Sequence, residues 1–343
     1  MNRLTIIKPD DWHLHLRDSP YLESVIGDTA RQFSRAIVMP NLNPPVKTCG
    51  DAMAYRQRIL SALPADHQFQ PLMTLYLTDN TTADDIRQAS TSDFIFAAKL
   101  YPAGATTNSD AGVTDLKNIY AVLEAMQEYQ LPLLIHGEAT GDKVDVFDRE
   151  KRFIDTSLSS ICSDFAELPI VFEHITTGDA VDFVAAQGSN IAATITPHHL
   201  LINRNAMFNK GIRPHHYCLP VAKREAHRQA LLKAATSGSA RYFAGTDSAP
   251  HSQQAKETGC GCAGIYSAFC ALELYAEAFE LAGDFSNFEA FMSLNGPGFY
   301  RLPVNRDKVV LQKSVWTVPE SLPFGQQNLI PFRAGEKLQW KLI

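Results

Sequence analysis

The sequence predicts an α/β protein built as a (β/α)8 TIM barrel, on three observations. Eight short apolar or β-branched runs recur at 11–16, 35–40, 71–78, 94–101, 131–136, 170–175, 190–196 and 241–246. Stretches of helical character lie between most of them, at 49–62, 114–129, 177–186 and 223–236. The span from His13 to Asp247 approaches the roughly 250 residues that eight strand–helix units occupy.

The first run, Asp11-Trp12-His13-Leu14-His15-Leu16, has its histidines two residues apart. Side chains at i and i+2 of a strand share a face. His13 and His15 therefore project together, Leu14 and Leu16 project oppositely, and Arg17 extends the histidine series with a fixed positive charge. Two imidazoles on one face are half of a metal site, although such pairs also arise by chance. The second run leads into Met39-Pro40-Asn41; Asn41 is either a polar rim residue or a turn former before Pro44-Pro45.

The fourth run, Phe94-Ile95-Phe96-Ala97-Ala98-Lys99-Leu100-Tyr101, encloses a lysine. A buried ammonium is costly, so the pKa of Lys99 should fall. It either snorkels to the rim or stays neutral beside metals, where it can add carbon dioxide and bridge two cations as a carbamate. The fifth run, Leu131-Pro132-Leu133-Leu134-Ile135, is continuously apolar, as suits a parallel strand covered on both faces. It ends in His136, and the sixth ends near His174. The eighth ends at Asp247, which reads as a metal-binding, proton-exchanging carboxylate or as a turn aspartate. In a barrel these carboxyl ends meet at one rim, where catalytic sites of this architecture are built.

Composition excludes several classes. The chain has 343 residues, 45% of them hydrophobic, enough for a large core. A net charge of −6 without a basic run argues against nucleic acid as a partner. No apolar stretch is long enough to span a bilayer, and the first residues show no signal-peptide core. Six cysteines scattered at 49, 162, 218, 260, 262 and 270 add to the expectation of a cytoplasmic protein with free thiols. Cys260-x-Cys262 could suggest a metal pair but lacks a matching second pair. Residues 101–113, rich in Gly and Thr, read as a mobile rim loop or an ordinary solvent loop. Asn295-Gly296-Pro297 reads as a turn before a final helix. Only twelve residues precede His13, so an accessory β-sandwich is not expected. The expected organisation is one barrel domain over 1–343, with a tail from about 301 packed outside it.

Seven segments together carry a resemblance. Asp11-Trp12-His13-Leu14-His15-Leu16-Arg17, Met39-Pro40-Asn41 and Ala98-Lys99-Leu100-Tyr101-Pro102 are three of them. The others are His136-Gly137-Glu138, Glu173-His174, Thr196-Pro197-His198-His199-Leu200 and Gly245-Thr246-Asp247-Ser248-Ala249-Pro250-His251. They resemble the dihydroorotase family, more closely its single-domain bacterial type within the amidohydrolase superfamily. Arg17, Asn41 and Cys260-Gly261-Cys262-Ala263-Gly264 narrow the likeness to that family, over about residues 8–300.

That resemblance implies a metal-dependent hydrolase barrel holding two zinc ions per subunit. One would be held by His13, His15, N6-carboxylated Lys99 and Asp247. The other would take the same carbamate with His136 and His174, and a hydroxide would bridge the two. It further implies that Arg17, Asn41 and His251 hold a substrate carboxylate, with backbone groups of Leu219 and Ala263 on the ring. Thr106 and Thr107 would contact substrate from the rim loop. The implied reaction is the reversible cyclisation of N-carbamoyl-L-aspartate to L-dihydroorotate in pyrimidine biosynthesis. In hydrolysis the hydroxide would attack the ring amide and Asp247 would shuttle the proton. The family resemblance also suggests a homodimer.

Two other readings fit parts of the pattern. One is another cyclic amidohydrolase, of the dihydropyrimidinase, hydantoinase or allantoinase kind, whose substrates give Arg17 and His251 no carboxylate. The other is an inactive homologue serving as a scaffold, although no ligand position departs from the pattern.

Overall fold

The computed structural model describes residues 2–65, 67–259 and 261–343. After an opening strand β1 (Arg3–Ile7), eight parallel strands follow in chain order around the sheet. These are β2 (Asp11–Leu14), β3 (Arg35–Val38), β4 (Gln70–Tyr76), β5 (Ile95–Leu100), β6 (Leu133–Ile135), β7 (Ile170–Phe172), β8 (Ile191–Ile195) and β9 (Tyr242–Ala244). Each lies within one of the eight predicted runs or differs from it by a residue. Helices cover the outside, among them Leu22–Gln32, Cys49–Ala62, Ala83–Ser90, Tyr120–Glu128, Gly178–Ala186 and Glu225–Thr236. The helix Cys49–Ala62 starts where a Thr48–Asp51 capping box satisfies its first free N–H groups.

The seam between first and last strands closes just beyond β9. Asp247 N donates to His13 O at 2.8 Å, and His15 N donates to Ser248 O at 3.1 Å. The barrel interior then fills in layers, as the alternation of each strand requires. A floor layer contains Trp12, Ile37, Leu72, Ala97, Leu134, Val171, Ala192 and Phe243. Two residues further along their strands stand Lys99, His136 and Glu173, so the strand period that packs the floor also aims these groups at the rim.

Strand β2 departs from strict alternation. Its pairing with β3 shifts register between Asp11 and Leu14. Trp12 consequently joins the floor, stacked 4.5 Å from Tyr300, while His13 still points to the rim. Asp11 pins this irregularity by accepting from the backbone N–H groups of His13 and Thr246. A bulge that re-aims one side chain beside a site is a recurrent device.

A small sheet lies outside the barrel. Strand β1 pairs antiparallel with β10 (Lys308–Thr317), and β10 pairs with β13 (Lys337–Leu342); β11 (Leu322–Phe324) and β12 (Gln327–Leu329) form a hairpin. The sequence reading overlooked β1, although Leu4 and Ile6 alternate with exposed neighbours as a half-buried strand should. Asn295-Gly296-Pro297 is not a turn before a helix. It is the first turn of the helix Asn295–Tyr300, which continues a π-helical segment, Ala290–Leu294. No helix among the described residues is long and apolar enough to cross a membrane.

Candidate metal centre and substrate cavity

Four imidazoles stand in a row across the rim. Ring centroids are separated by 5.3 Å from His15 to His13, 4.8 Å from His13 to His174 and 4.9 Å from His174 to His136. All four are buried. Burial holds the His13, His15 and His174 imidazoles below their usual range, so they are present neutral, the form that ligates metal.

Second partners set the tautomers. His13 Nδ1 lies 2.8 Å from Glu173 Oε2, and His15 Nδ1 lies 2.8 Å from Asn41 Oδ1. Both partner atoms are acceptors: the Asn41 amide nitrogen donates to Thr107 O, which identifies Oδ1, and Glu173 Oε2 also accepts from Thr194 Oγ1. Each Nδ1 therefore carries the hydrogen, and each Nε2 presents a bare lone pair. Those two Nε2 atoms are 3.3 Å apart, and Asp247 Oδ1 lies 3.5 Å from His13 Nε2 and 3.2 Å from His15 Nε2.

Three acceptors converge there without a hydrogen among them. A cation relieves that arrangement; a hydrogen-bond network does not. A tetrahedral zinc with bonds of about 2.0–2.1 Å has ligand–ligand edges of about 3.3–3.4 Å. The three observed separations match those edges, so the residues fit the metal.

Left-handed backbone at two of these positions, and at Arg17, shapes the rim. His174 has φ 39° and Asp247 has φ 45°. Just beyond β7, Glu173 already points inward to His13, so alternation alone would turn His174 away; the left-handed turn brings its ring back toward His13 and His136. Arg17 has φ 66°. Such conformations cost about 1–3 kcal/mol each in non-glycine residues and concentrate at functional sites.

Lys99 stands below the row. Its Nζ is buried without a hydrogen-bond partner, 5.2 Å from the Tyr101 ring centroid. Burial pushes its pKa down to about 8, against the pull of Glu173 and Asp247. His174 Nδ1 is likewise buried and unpaired. Orphaned buried polar atoms are rare in folded proteins and call for a missing partner. His136 Nε2 contacts Glu138 Oε2 at 2.9 Å, leaving Nδ1 as its coordinating atom.

Above the row lies a narrow polar cavity. Arg17, Asn41, Thr106, Thr107, Leu219 and Ala263 all line it, beside His15, His136, His174 and Asp247. His251 stands one step behind, with Nε2 at 2.7 Å from Arg17 Nη2 and 3.0 Å from Ala263 O. The rim loop is docked rather than free. Asn108 donates to Asn41 O and Thr107 Oγ1 donates to Ala263 O, so the loop covers the cavity. A larger hollow at the opposite end of the barrel, between Phe96, Pro132, Phe299 and Arg301, lies far from the imidazole row.

Sequence reasoning left Glu173 and Glu138 without roles. Their signal was an acidic residue within two positions of His136 and of His174. It also left His198, His199 and Cys218 unassigned, although these bring three donor atoms within 4.8 Å of one another. Two of the three are already engaged, since His199 Nε2 and Cys218 Sγ both contact Pro220 O. Of the Cys260-x-Cys262 pair, Cys260 lies outside the described residues.

Comparison with known proteins agrees with this geometry. The amidohydrolase family pattern matches residues 5–305. A dihydroorotase of Stutzerimonas stutzeri is 61% identical over 340 residues, covering 99% of this chain and 98% of that one. Among solved structures, a Campylobacter jejuni dihydroorotase superposes with TM-score 0.91 at 38% identity, covering 99% of this chain and 97% of that one. A Saccharomyces cerevisiae dihydroorotase, solved in complex with 5-fluoroorotic acid, gives TM-score 0.91 at 33% identity over 100% of this chain and 99% of that one. The chain belongs to the amidohydrolase family and, within that family, to the dihydroorotases.

Proposed function

We propose that this enzyme interconverts N-carbamoyl-L-aspartate and L-dihydroorotate with two zinc ions, in pyrimidine biosynthesis. The observation that carries the proposal is the convergence of His13 Nε2, His15 Nε2 and Asp247 Oδ1 as three bare acceptors at tetrahedral spacing. His13, His15, Asp247 and carboxylated Lys99 would hold one ion; His136, His174 and the same carbamate would hold the other. When bound, such a pair supplies a hydroxide nucleophile at neutral pH and polarises the amide carbonyl.

The chain's own groups do the rest. Asp247 turns Oδ1 to both imidazoles and its residue lines the cavity, so the carboxylate's other oxygen would hold a proton and deliver it to the leaving ring nitrogen. Arg17 offers a guanidinium that matches a ring carboxylate bidentately. Its Nη2 competes with Ala263 O for His251 Nε2, since Arg17 only donates and the carbonyl only accepts. A substrate carboxylate engaging Arg17 frees that nitrogen to donate to Ala263 O. Asn41, Leu219 and Ala263 would complete the contacts to the substrate, with Thr106 and Thr107 excluding water from above. The yeast relative was solved with 5-fluoroorotic acid, which carries a ring carboxylate, and this favours the acid over carboxylate-free cyclic amides. We place the enzyme in the cytoplasm as a homodimer, in keeping with its family resemblance and scattered cysteines.

Purified, zinc-loaded protein should be assayed on dihydroorotate and dihydrouracil in parallel. Turnover of dihydroorotate alone is expected. Equal turnover of dihydrouracil would favour the wider cyclic-amidase reading, and no turnover of either would favour a scaffold.

A further inference from the structure

Lys256 carries a cation into the wall of the cavity without taking part in the chemistry proposed above. It ends a short helix, Gln253–Lys256, and is buried with 3% exposure. All three of its ammonium hydrogens have acceptors. Nζ lies 2.7 Å from Tyr217 O, 2.9 Å from Cys262 O and 2.6 Å from Gly264 O. Those carbonyls belong to two separate loops, and Leu219 and Ala263 of those same loops line the cavity.

Burying a lysine is costly, and short charge-assisted hydrogen bonds offset that cost. A tetrahedral ammonium is the side-chain group that can hold three convergent carbonyls from one point. Gly264 N also donates to Tyr217 O, so the loops are stitched twice, with Lys256 at the node. Gly264 (φ 151°) packs so closely that a Cβ there would lie 2.8 Å from Ala249 O and from His251 Cδ2. The loop carrying Ala263 therefore has little freedom while the clamp holds.

We propose that Lys256 is a positioning residue for the substrate ring, clamping residues 217–219 against 261–264 so that Leu219 and Ala263 present their backbone groups at a fixed separation. This inference rests on the dihydroorotase reading and deepens it. Lys256 touches neither the reacting atoms nor the imidazole row, so its loss acts on binding rather than on the chemical step.

The test uses zinc-loaded Lys256→Met and Lys256→Ala beside wild type, with dihydroorotate as substrate. KM should rise about tenfold or more, the scale of one lost charge-assisted hydrogen bond. kcat should change by less than about threefold, the signature of lost binding shared by ground and transition states. Zinc content should be unchanged, and ethylammonium should lower the raised KM of Lys256→Ala. An unchanged KM, a fall confined to kcat, or no response to ethylammonium would overturn the assignment. Should these variants not fold, Lys256→Gln carries the same measurements; if it too fails to fold, Lys256 supports the whole fold and the assignment is wrong. Wild-type turnover separates the two claims. If wild type does not process dihydroorotate, the dihydroorotase reading falls and takes this inference with it; if it does and the variants match it, only the clamp falls.

Discussion

The Asp247 backbone N–H donates to the His13 carbonyl at 2.8 Å while the Asp247 carboxylate lies 3.5 Å from His13 Nε2. The contact that closes the barrel seam therefore also assembles the acceptors of the candidate metal centre. Strand β2 and the segment after β9 lie at opposite ends of the barrel sequence, so this half of the site exists only when the barrel is closed. Asp11 ties the same seam from below, through Thr246.

Arg17 is half-buried, with Nε donating to Pro250 O and Nη2 beside His251. Arg17→Ala should weaken substrate binding toward the lower part of about 2–5 kcal/mol. Steady-state kinetics on dihydroorotate would then show a fall in kcat/KM of about thirtyfold or more. Unchanged KM and kcat/KM would remove Arg17 from the substrate contacts.

Gly137 follows His136, and a Cβ there would meet Phe172 Cε2 at 2.0 Å. Phe172 is fully buried and directly precedes Glu173 and His174. Gly137→Ala should therefore cost about 1–3 kcal/mol, as overpacked cores do, and should loosen zinc retention through displaced histidines. Urea unfolding with zinc analysis checks both; a midpoint and zinc content equal to wild type would show that the strand yields freely.

Lys99 has a pH signature in the metal-free protein. Carbon dioxide adds to the neutral amine, and burial holds this amine down to about 8. Carbamate formation should therefore climb as pH rises through 8 and level off above it. An ordinary lysine, near 10.4, would still be climbing at pH 10. Carbon-13 NMR with labelled bicarbonate should give a carbamate signal with that profile, absent in Lys99→Ala. A signal that survives Lys99→Ala, or a midpoint near 10, contradicts the proposal.

Much of the barrel was legible because its strands are buried on both faces and so read as apolar runs. The helix Cys49–Ala62 matches its predicted bounds because Thr48 and Asp51 form a local cap. His13 and His15 share a face as their spacing requires, and Lys99 is buried where its apolar run places it. What local pattern could not supply came from tertiary contacts. The register shift that puts Trp12 on the floor depends on Asp11 reaching Thr246. The left-handed turn at His174 reverses the facing that strand alternation implies. The pairing of β1 with β10 joins residues about 300 positions apart, beyond any local signal. The contacts of the rim loop with Asn41 and Ala263 join residues distant in sequence, which no local pattern marks.

The most direct test is an anomalous-scattering crystal map of the zinc-loaded enzyme, recorded at the zinc edge. Two peaks are predicted, one among His13, His15 and Asp247 and one beside His136 and His174, with density for a carboxylate joined to Lys99 Nζ between them. A bare lysine, or a rim without metal peaks, would contradict the two-ion centre.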